Sequence, residues 1–297
     1  MVFRLAHVTD PHFHPEGGVA LGELRGKRWA GALNYWLRRR FKHRMELLAA
    51  LADDLRASPP DHLAVTGDLS NLALEAEWRA ARTWLEGVAP QPEGATLIPG
   101  NHDAYIPEVV DAGAFESHFG AWQRPDVAQG DAAYPFVRLR GPLALVGVNS
   151  CVATGDLGAW GLLGDAQLAR LEALLARPEV RARRRVVLVH HPPVRHKGGE
   201  HRNLKDRARF AEVLTRVGAE LVLHGHDHRD QRAELAGPDG ARIPVLGGGS
   251  ASYAGAPAGR ARYNVLEFGD GRDVTLVTRA HDAAAGRFTE VRREALA

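Results

Sequence analysis

Thr96-Leu97-Ile98-Pro99-Gly100-Asn101-His102-Asp103 is a short apolar run that breaks abruptly into an amide, an imidazole and a carboxylate. Its first three residues read as a buried strand. The glycine lets the chain turn sharply where side chains crowd together. Working outward, the same pattern recurs four times. Residues 3–9 read as a strand that ends in Thr9-Asp10-Pro11-His12. Residues 62–66 end in Gly67-Asp68-Leu69-Ser70-Asn71, and residues 186–189 in His190-His191-Pro192-Pro193. Residues 221–223 lead to Gly225-His226-Asp227-His228. In open α/β sheets, ligands gather beyond the carboxyl ends of strands, so five such ends can meet at one site.

Between these strands the periodicity is helical. Residues 31–56 carry Leu47, Leu48, Leu51 and Leu55 at helical spacing and stop at Ser58-Pro59-Pro60. Residues 72–86, 108–120, 165–177 and 206–217 read as further helices. Residues 134–140 and 143–149 read as a hairpin around Gly141-Pro142. Beyond residue 230 the pattern turns to strands, at 231–236, 242–247, 261–268 and 273–280. Alternating strands and helices closing in a strand-rich meander predict an α/β core with a pair of mixed sheets.

Composition narrows the chemistry. The chain has 297 residues, 45% of them apolar, with 38 Lys plus Arg against 36 Asp plus Glu. That balance excludes a disordered, collagen-like or coiled-coil chain. A single cysteine among 15 histidines excludes an internal disulfide and a cysteine-type zinc site. Metal held by this chain must therefore sit among carboxylates, amides and imidazoles, a set that suits iron, manganese or zinc. No stretch approaches the roughly 20 apolar residues of a membrane span. The first residues run directly into a strand pattern without a leader-like charged and apolar region, and a cytoplasmic location is the expectation.

The ordered set D-x-H, GD, GNHD, HHP and GHxH, running from Asp10 to His228, resembles the calcineurin-like metallophosphoesterases. The resemblance implies a four-layer αββα sandwich of two mixed β-sheets flanked by helices. It implies one domain over residues 1–297 with a basic helical insertion at about 20–46. It implies two divalent metal ions (Mn, Fe or Zn): Asp10, His12 and His228 on the first, Asn101, His190 and His226 on the second, and Asp68 bridging them. Asn101 and His102 would contact substrate, and His102 would protonate the leaving group after attack by a hydroxide generated between the metals. Asp103 would hold the His102 tautomer through a hydrogen bond. His190 directly ends its strand and is favoured over His191 as the ligand. His7, His62, His118 and His224 read as structural, and Cys151 as a small buried residue. His14 stands between a pocket role and a solvated loop.

Departures from the family's branches refine the reading. Leu69-Ser70-Asn71-Leu72 follows the GD motif, where protein serine/threonine phosphatases carry Arg-Gly. Asn71 stands where purple acid phosphatases place a metal-binding tyrosine. The pattern is most similar to bacterial class III cyclic-nucleotide and glycerophosphodiester phosphodiesterases, and the Gly247–Ser252 run resembles a small-residue strand end near their pocket. A phosphodiesterase of small diesters is the leading expectation. A nucleotide-lipid pyrophosphate hydrolase of UDP-diacylglucosamine type is the alternative. From another class comes a non-catalytic, metal-stabilised module that binds a membrane or partner.

The segment after the first motif is unusual. Arg25, Lys27, Arg28, Arg38, Arg39, Arg40, Lys42 and Arg44 lie between Glu23 and Glu46 without an acid, interleaved with Trp29, Leu33, Tyr35, Trp36, Leu37 and Phe41. It reads as a basic amphipathic helix or helical hairpin. Three uses compete: a cap that attracts anionic substrate, peripheral contact with an anionic membrane through residues 25–44, or packing on the body or a second subunit. Nucleic acid is the least favoured partner because no stacking-aromatic module is present.

Overall fold

The computed structural model describes residues 2–155, 158–195, 199–255, 260–271 and 273–296. Along the chain, β1 (Phe3–Val8) leads into the insertion: α1 (Arg28–Asn34), a π-helical turn (Tyr35–Arg39) and α2 (Arg40–Lys42). Then come α3 (Met45–Ala57), β2 (His62–Thr66), α4 (Glu75–Val88), β3 (Ala95–Ile98), α5 (Pro107–Asp111) and α6 (Ala114–Phe119). The hairpin β4 (Phe136–Arg140) and β5 (Leu143–Gly147) is followed by α7 (Asp165–Leu175), α8 (Pro178–Arg181), β6 (Arg184–Leu188), α9 (Arg207–Val217) and β7 (Leu221–His224). The closing strands are β8 (Gln231–Ala236), β9 (Arg242–Gly247), β10 (Arg262–Phe268), β11 (Val274–Asp282) and β12 (Arg287–Leu296).

Among the described residues the strands form two six-stranded sheets, in the orders β12-β11-β10-β1-β2-β3 and β4-β5-β6-β7-β9-β8. β1, β2 and β3 run parallel in the first, and β5, β6, β7 and β9 in the second. Burial on both faces accounts for the unbroken apolar runs of these central strands. Period two then sorts their side chains. Leu5, Ala64, Ile98, Val186, Leu188, Leu221 and Leu223 meet between the sheets. Ala6, Val8, Leu63 and Val65 face Leu48, Leu51 and Trp78 of the helices over the first sheet. Val187, Val189 and Val222 face Leu168, Leu171 and Phe210 over the second. The result is the expected four-layer αββα sandwich. Its parallel strands point their carboxyl ends to one edge, where the polar motifs lie.

Local structure departs from the sequence expectation in four places. The helix expected over 31–56 is broken: His43 and Arg44 are extended, and Arg44 N donates to Ser252 O at 2.9 Å. A tertiary bridge between His43 and Tyr253 takes the backbone groups that a continuous helix would have used. The helix over 72–86 starts only at Glu75, because Glu77 accepts from the backbone nitrogens of Asn71, Leu72 and Leu74 and holds that stretch as a loop. The helix over 108–120 is two helices parted by Gly113, whose φ is +57°. The last strand, β12, was not expected. Its Arg292, Arg293, Glu290 and Glu294 mask the alternation, and they are the charges that keep an edge strand from pairing with another chain.

Three histidines expected to be structural have such partners. His7 Nε2 lies 2.9 Å from Thr66 Oγ1, His62 Nε2 2.8 Å from Thr96 Oγ1, and His118 Nε2 2.9 Å from a Glu75 carboxylate oxygen. Burial, reinforced by Arg138 and Arg140, pushes the His62 pKa from 6.5 down to about 3. The unfolded chain therefore takes up this proton at a higher pH than the folded one, and stability falls as pH drops from 6.5 toward 3. The slope is about 1.4 kcal/mol per pH unit for one such group. We expect His62→Gln to flatten the stability-against-pH curve by about that slope between pH 6 and 4, measured by urea unfolding. Parallel curves for the two proteins would refute it.

Candidate metal centre

Five of the seven residues expected to hold metal lie in left-handed backbone conformation: Asp10 (φ 51°), His12 (48°), Asp68 (56°), His226 (74°) and His228 (53°). Residues other than glycine seldom adopt it, and each instance costs about 1–3 kcal/mol unless the surroundings impose it. Here they do. The loop after β1 is laced to the loop after β2: Asp10 N donates to Gly67 O (3.0 Å), His12 N to Asp68 O (3.0 Å) and Phe13 N to Leu69 O (2.7 Å). His226 N, from the other sheet, donates to Asp10 Oδ2 at 3.1 Å.

The glycines before these motifs act differently from one another. Gly67 does require a positive φ, at +89°. Gly100 and Gly225 do not, and close approach explains them instead. A Cβ on Gly100 would collide with the backbone nitrogen and Oδ1 of Asp68, and one on Gly225 with Thr9 Oγ1 and Asp10 Oδ2.

Asp10, His12, Asp68 and His228 each offer a ligand atom, all within 4.8 Å of one another. Beside them, Asn101 Oδ1 stands 3.1 Å from His190 Nε2 and 2.8 Å from His226 Nδ1. Asp68 joins the two groups: one carboxylate oxygen is 3.6 Å from His12 Nε2 and the other 3.5 Å from His190 Nε2. All seven expected residues thus converge, as a group of four and a group of three with Asp68 between them. His190, rather than His191, enters the cluster. His191 Nδ1 instead lies 2.8 Å from Ser150 Oγ, and its ring packs against that of His226.

The donor chemistry fits divalent cations. His12 Nδ1 faces the Ser70 carbonyl at 2.9 Å and His190 Nδ1 the Thr66 carbonyl at 2.7 Å. Those bonds place the ring protons on Nδ1 and leave Nε2 as a bare lone pair. His190 Nε2 points at the oxygens of Asn101 and Asp68, and His12 Nε2 at His228 Nε2 and Asp68 with Arg39 Nη2 beside it, so both nitrogens face groups that a cation would bring together. Burial also holds His12 and His226 well below their ordinary pKa and so neutral, the state in which imidazole binds metal. Burial pushes Asp68 up to about 7 despite His190 nearby, so a positive charge is needed to keep it ionised. Burial would likewise raise Asp10, yet the His228 imidazole brings it down to about 2.

One expected contact is corrected. Asp103 does not touch the His102 ring. Its carboxylate accepts from the backbone nitrogens of Leu69 (3.1 Å), Ser70 (2.9 Å) and Gly100 (2.9 Å) and from Ser70 Oγ (2.8 Å), clamping the loops after β2 and β3 together. His102 Nδ1 instead faces the Asn71 carbonyl at 2.7 Å, and that bond sets its tautomer. Asn71, at the position of the purple acid phosphatase tyrosine, turns its amide away to the carbonyls of His12 and Phe13. Cys151 is buried with its thiol on the Pro99 carbonyl, and burial pushes its pKa well up. His224 lies behind the cluster on Gly225 O, and His14 packs edge-on against Tyr35 of the insertion. In the small-residue run, Ser250 Oγ donates to Asp10 O at 2.7 Å.

Two site residues escaped sequence reasoning, both from the insertion. Arg39 reaches inward: Nη1 is 2.6 Å from His102 Nε2 and Nη2 is 2.9 Å from His12 Nε2. His43 lies 2.8 Å from Ser252 Oγ and stacks edge-on against His12, with ring centroids 4.4 Å apart. The inner face of the insertion is bolted down around them. Arg28 donates to the carbonyls of Leu72 and Ala73, Lys27 to Thr154 and Gly158, and Gly31 sits against the Tyr105 hydroxyl with no room for a Cβ. The cluster opens into a cavity of about 920 Å³ whose walls carry Arg38, Arg39, Lys42, Arg202, Arg229 and Arg262.

A bound metal should stabilise the fold by mass action, about 2.7 kcal/mol at a hundredfold excess over Kd. We expect Mn²⁺ added to chelator-treated protein to raise the melting temperature by several degrees, and Asp68→Asn to lose most of that rise. An undiminished rise in the variant would show that metal binds elsewhere.

The family model of the calcineurin-like phosphoesterases matches residues 3–230. A search of curated proteins finds no match. Among solved structures, a dimetal phosphatase from Danio rerio is similar, with a TM-score of 0.60 at 13% identity over 97% of this chain and 98% of that one. A purple acid phosphatase from yellow lupin (Lupinus luteus) seeds has a TM-score of 0.60 at 14% identity. That likeness takes in 98% of this chain and 53% of the lupin one, so the chain spans about half of its length. At such identities the likeness shows a shared fold. No helix among the described residues is long and apolar enough to cross a membrane. With the family model extending from β1 through the last of the five motifs, the chain belongs to the calcineurin-like phosphoesterase family.

Proposed function

We propose that this protein is a dinuclear metal-dependent phosphodiesterase acting on a small or lipid-linked phosphodiester. The observation that supports the reading best is the cationic cavity above the seven converging ligands. At about 920 Å³ it has room for a phosphate with two substituents, and its cations come from separate parts of the chain.

In this reading Asp10, His12, Asp68 and His228 hold one cation, and Asp68, Asn101, His190 and His226 hold the other. Such a pair supplies, when bound, an activated water and charge neutralisation at the phosphoryl group. The remaining work falls to the chain itself. The His102 Nδ1–H bond to Asn71 O turns Nε2 toward Arg39 Nη1, 2.6 Å away, and in this reading substrate draws the guanidinium onto its phosphoryl oxygens and frees Nε2 to exchange a proton with the leaving oxygen. Tyr105 stacks on the other side of that ring, 5.5 Å between centroids, and keeps its orientation. Arg39 brings a guanidinium fork beside His102, where it can donate to two phosphoryl oxygens. Asp103 positions the motif by fastening its loop.

Purified protein with Mn²⁺ should hydrolyse bis(p-nitrophenyl) phosphate, and cyclic AMP is the first natural diester to try. Asp68→Ala should abolish turnover. His102→Ala should lower kcat by about 10²–10⁴ with metal content retained. Full activity in the Asp68 variant would sink the mechanism. Arg39→Ala should cost about 10² in kcat/KM and weaken inhibition by inorganic phosphate. An unchanged phosphate inhibition constant would remove Arg39 from the site. A nucleotide-lipid pyrophosphate is the second substrate class, favoured by a cavity with more cations than one diester phosphate needs.

A further inference from the structure

Large apolar side chains exposed among the described residues are few, and five of the nine lie in one segment. Leu21, Trp29, Leu33, Leu37 and Phe41 are between 55% and 72% exposed. The other four, Val2, Val110, Leu162 and Val291, are scattered along the chain. Trp29, Leu33, Leu37 and Phe41 recur every fourth residue along the insertion helix. In a plain α-helix four residues overshoot a full turn by about 40°, so the row would wind away. The π-turn at Tyr35–Arg39, where Arg40 N bonds Tyr35 O, turns less per residue and brings the row back into line. The opposite face carries Gly31, Ala32 and Tyr35, all buried against the body.

Cations flank this apolar row. Arg25, Arg38, Arg40, Lys42 and Arg44 are exposed, and no acid lies between Glu23 and Glu46. Arg38 and Lys42 have no ion-pair partner among the described residues, and Arg40 lies over the Phe41 ring at 4.6 Å. We propose that the outer face of residues 25–44 docks on an anionic lipid bilayer, with Trp29, Leu33, Leu37 and Phe41 in the acyl–headgroup boundary and the flanking cations among the phosphates. Long basic side chains reach outward from an apolar face in this way. Charge complementarity selects this occupant. A second copy of the same face would set cations against cations, and nucleic-acid bases stack on aromatic rings but give the two leucines of the row no matching surface. Arg38 and Lys42 also line the cavity, so docking brings its mouth to the plane of the headgroups.

The docking does not depend on which ester is cleaved, and its test needs no turnover. Full-length protein is floated with vesicles of phosphatidylcholine alone or with 30% phosphatidylglycerol, at about 0.05 and 0.5 M salt. Binding is expected only to the anionic vesicles, weakening with salt. The Leu33→Gln/Leu37→Gln double variant keeps good helix formers and touches neither cluster nor cavity. It should bind at least about tenfold more weakly, with unchanged far-ultraviolet circular dichroism and unchanged hydrolysis of a soluble diester. Three outcomes overturn the proposal: no flotation of the wild type, equal flotation of wild type and variant, or a dimer by sedimentation equilibrium that the variant dissolves while neither protein floats.

Discussion

The buried carboxylate of Asp68 is where the two halves of the molecule meet. It ends β2 in the first sheet, yet it stands 3.5 Å from His190, which follows β6 in the second, and 3.6 Å from His12 of its own sheet. Its Oδ1 accepts from His102 N at 2.8 Å, which places the His102 imidazole. Isolated, such a group would be protonated near neutrality. It is useful only where cations gather. The surrounding imidazoles, the close-packed glycines and the left-handed backbone can all be understood as ways to crowd ligand atoms around that one carboxylate.

Strain and packing support each other here. Five left-handed residues together hold energy comparable to a large part of a domain's net stability. The cross-loop bonds from Asp10, His12 and Phe13 and the Asp103 clamp keep them in place. Substituting Asp103 would therefore act on the loops first and on His102 only through them. Glu77 extends the same scaffold outward, since it holds the loop on which Arg28 of the insertion rests.

The insertion joins two chemistries on opposite faces of one short helix. Its inner face delivers Arg39 and, just past its end, His43 to the cluster, and its outer face leaves an apolar row in solvent. The π-turn serves both, because an extra residue in the turn shifts the phase between faces. The inner face rests on the body through Arg28 and Lys27 and meets His102 through Arg39.

Much of this was legible beforehand, for a definite reason. Ligands at strand ends follow short apolar runs directly, so local pattern announces both the strand and the chemistry, and all seven expected residues converge. Cys151, His7, His62 and His224 are buried as expected, since burial and strand parity are local properties. What the sequence alone determined is therefore the strands up to β11, the sandwich and the identity of the polar motifs. Which of Arg38, Arg39 and Arg40 turns inward depends on helix phase across a π-turn, and no composition reveals that. The break at His43 depends on Ser252 and Tyr253, more than 200 residues away. The partner of Asp103 depends on two loops meeting edge to edge. Those points were decided only by tertiary structure, because each rests on a hydrogen bond between segments that the linear order keeps apart.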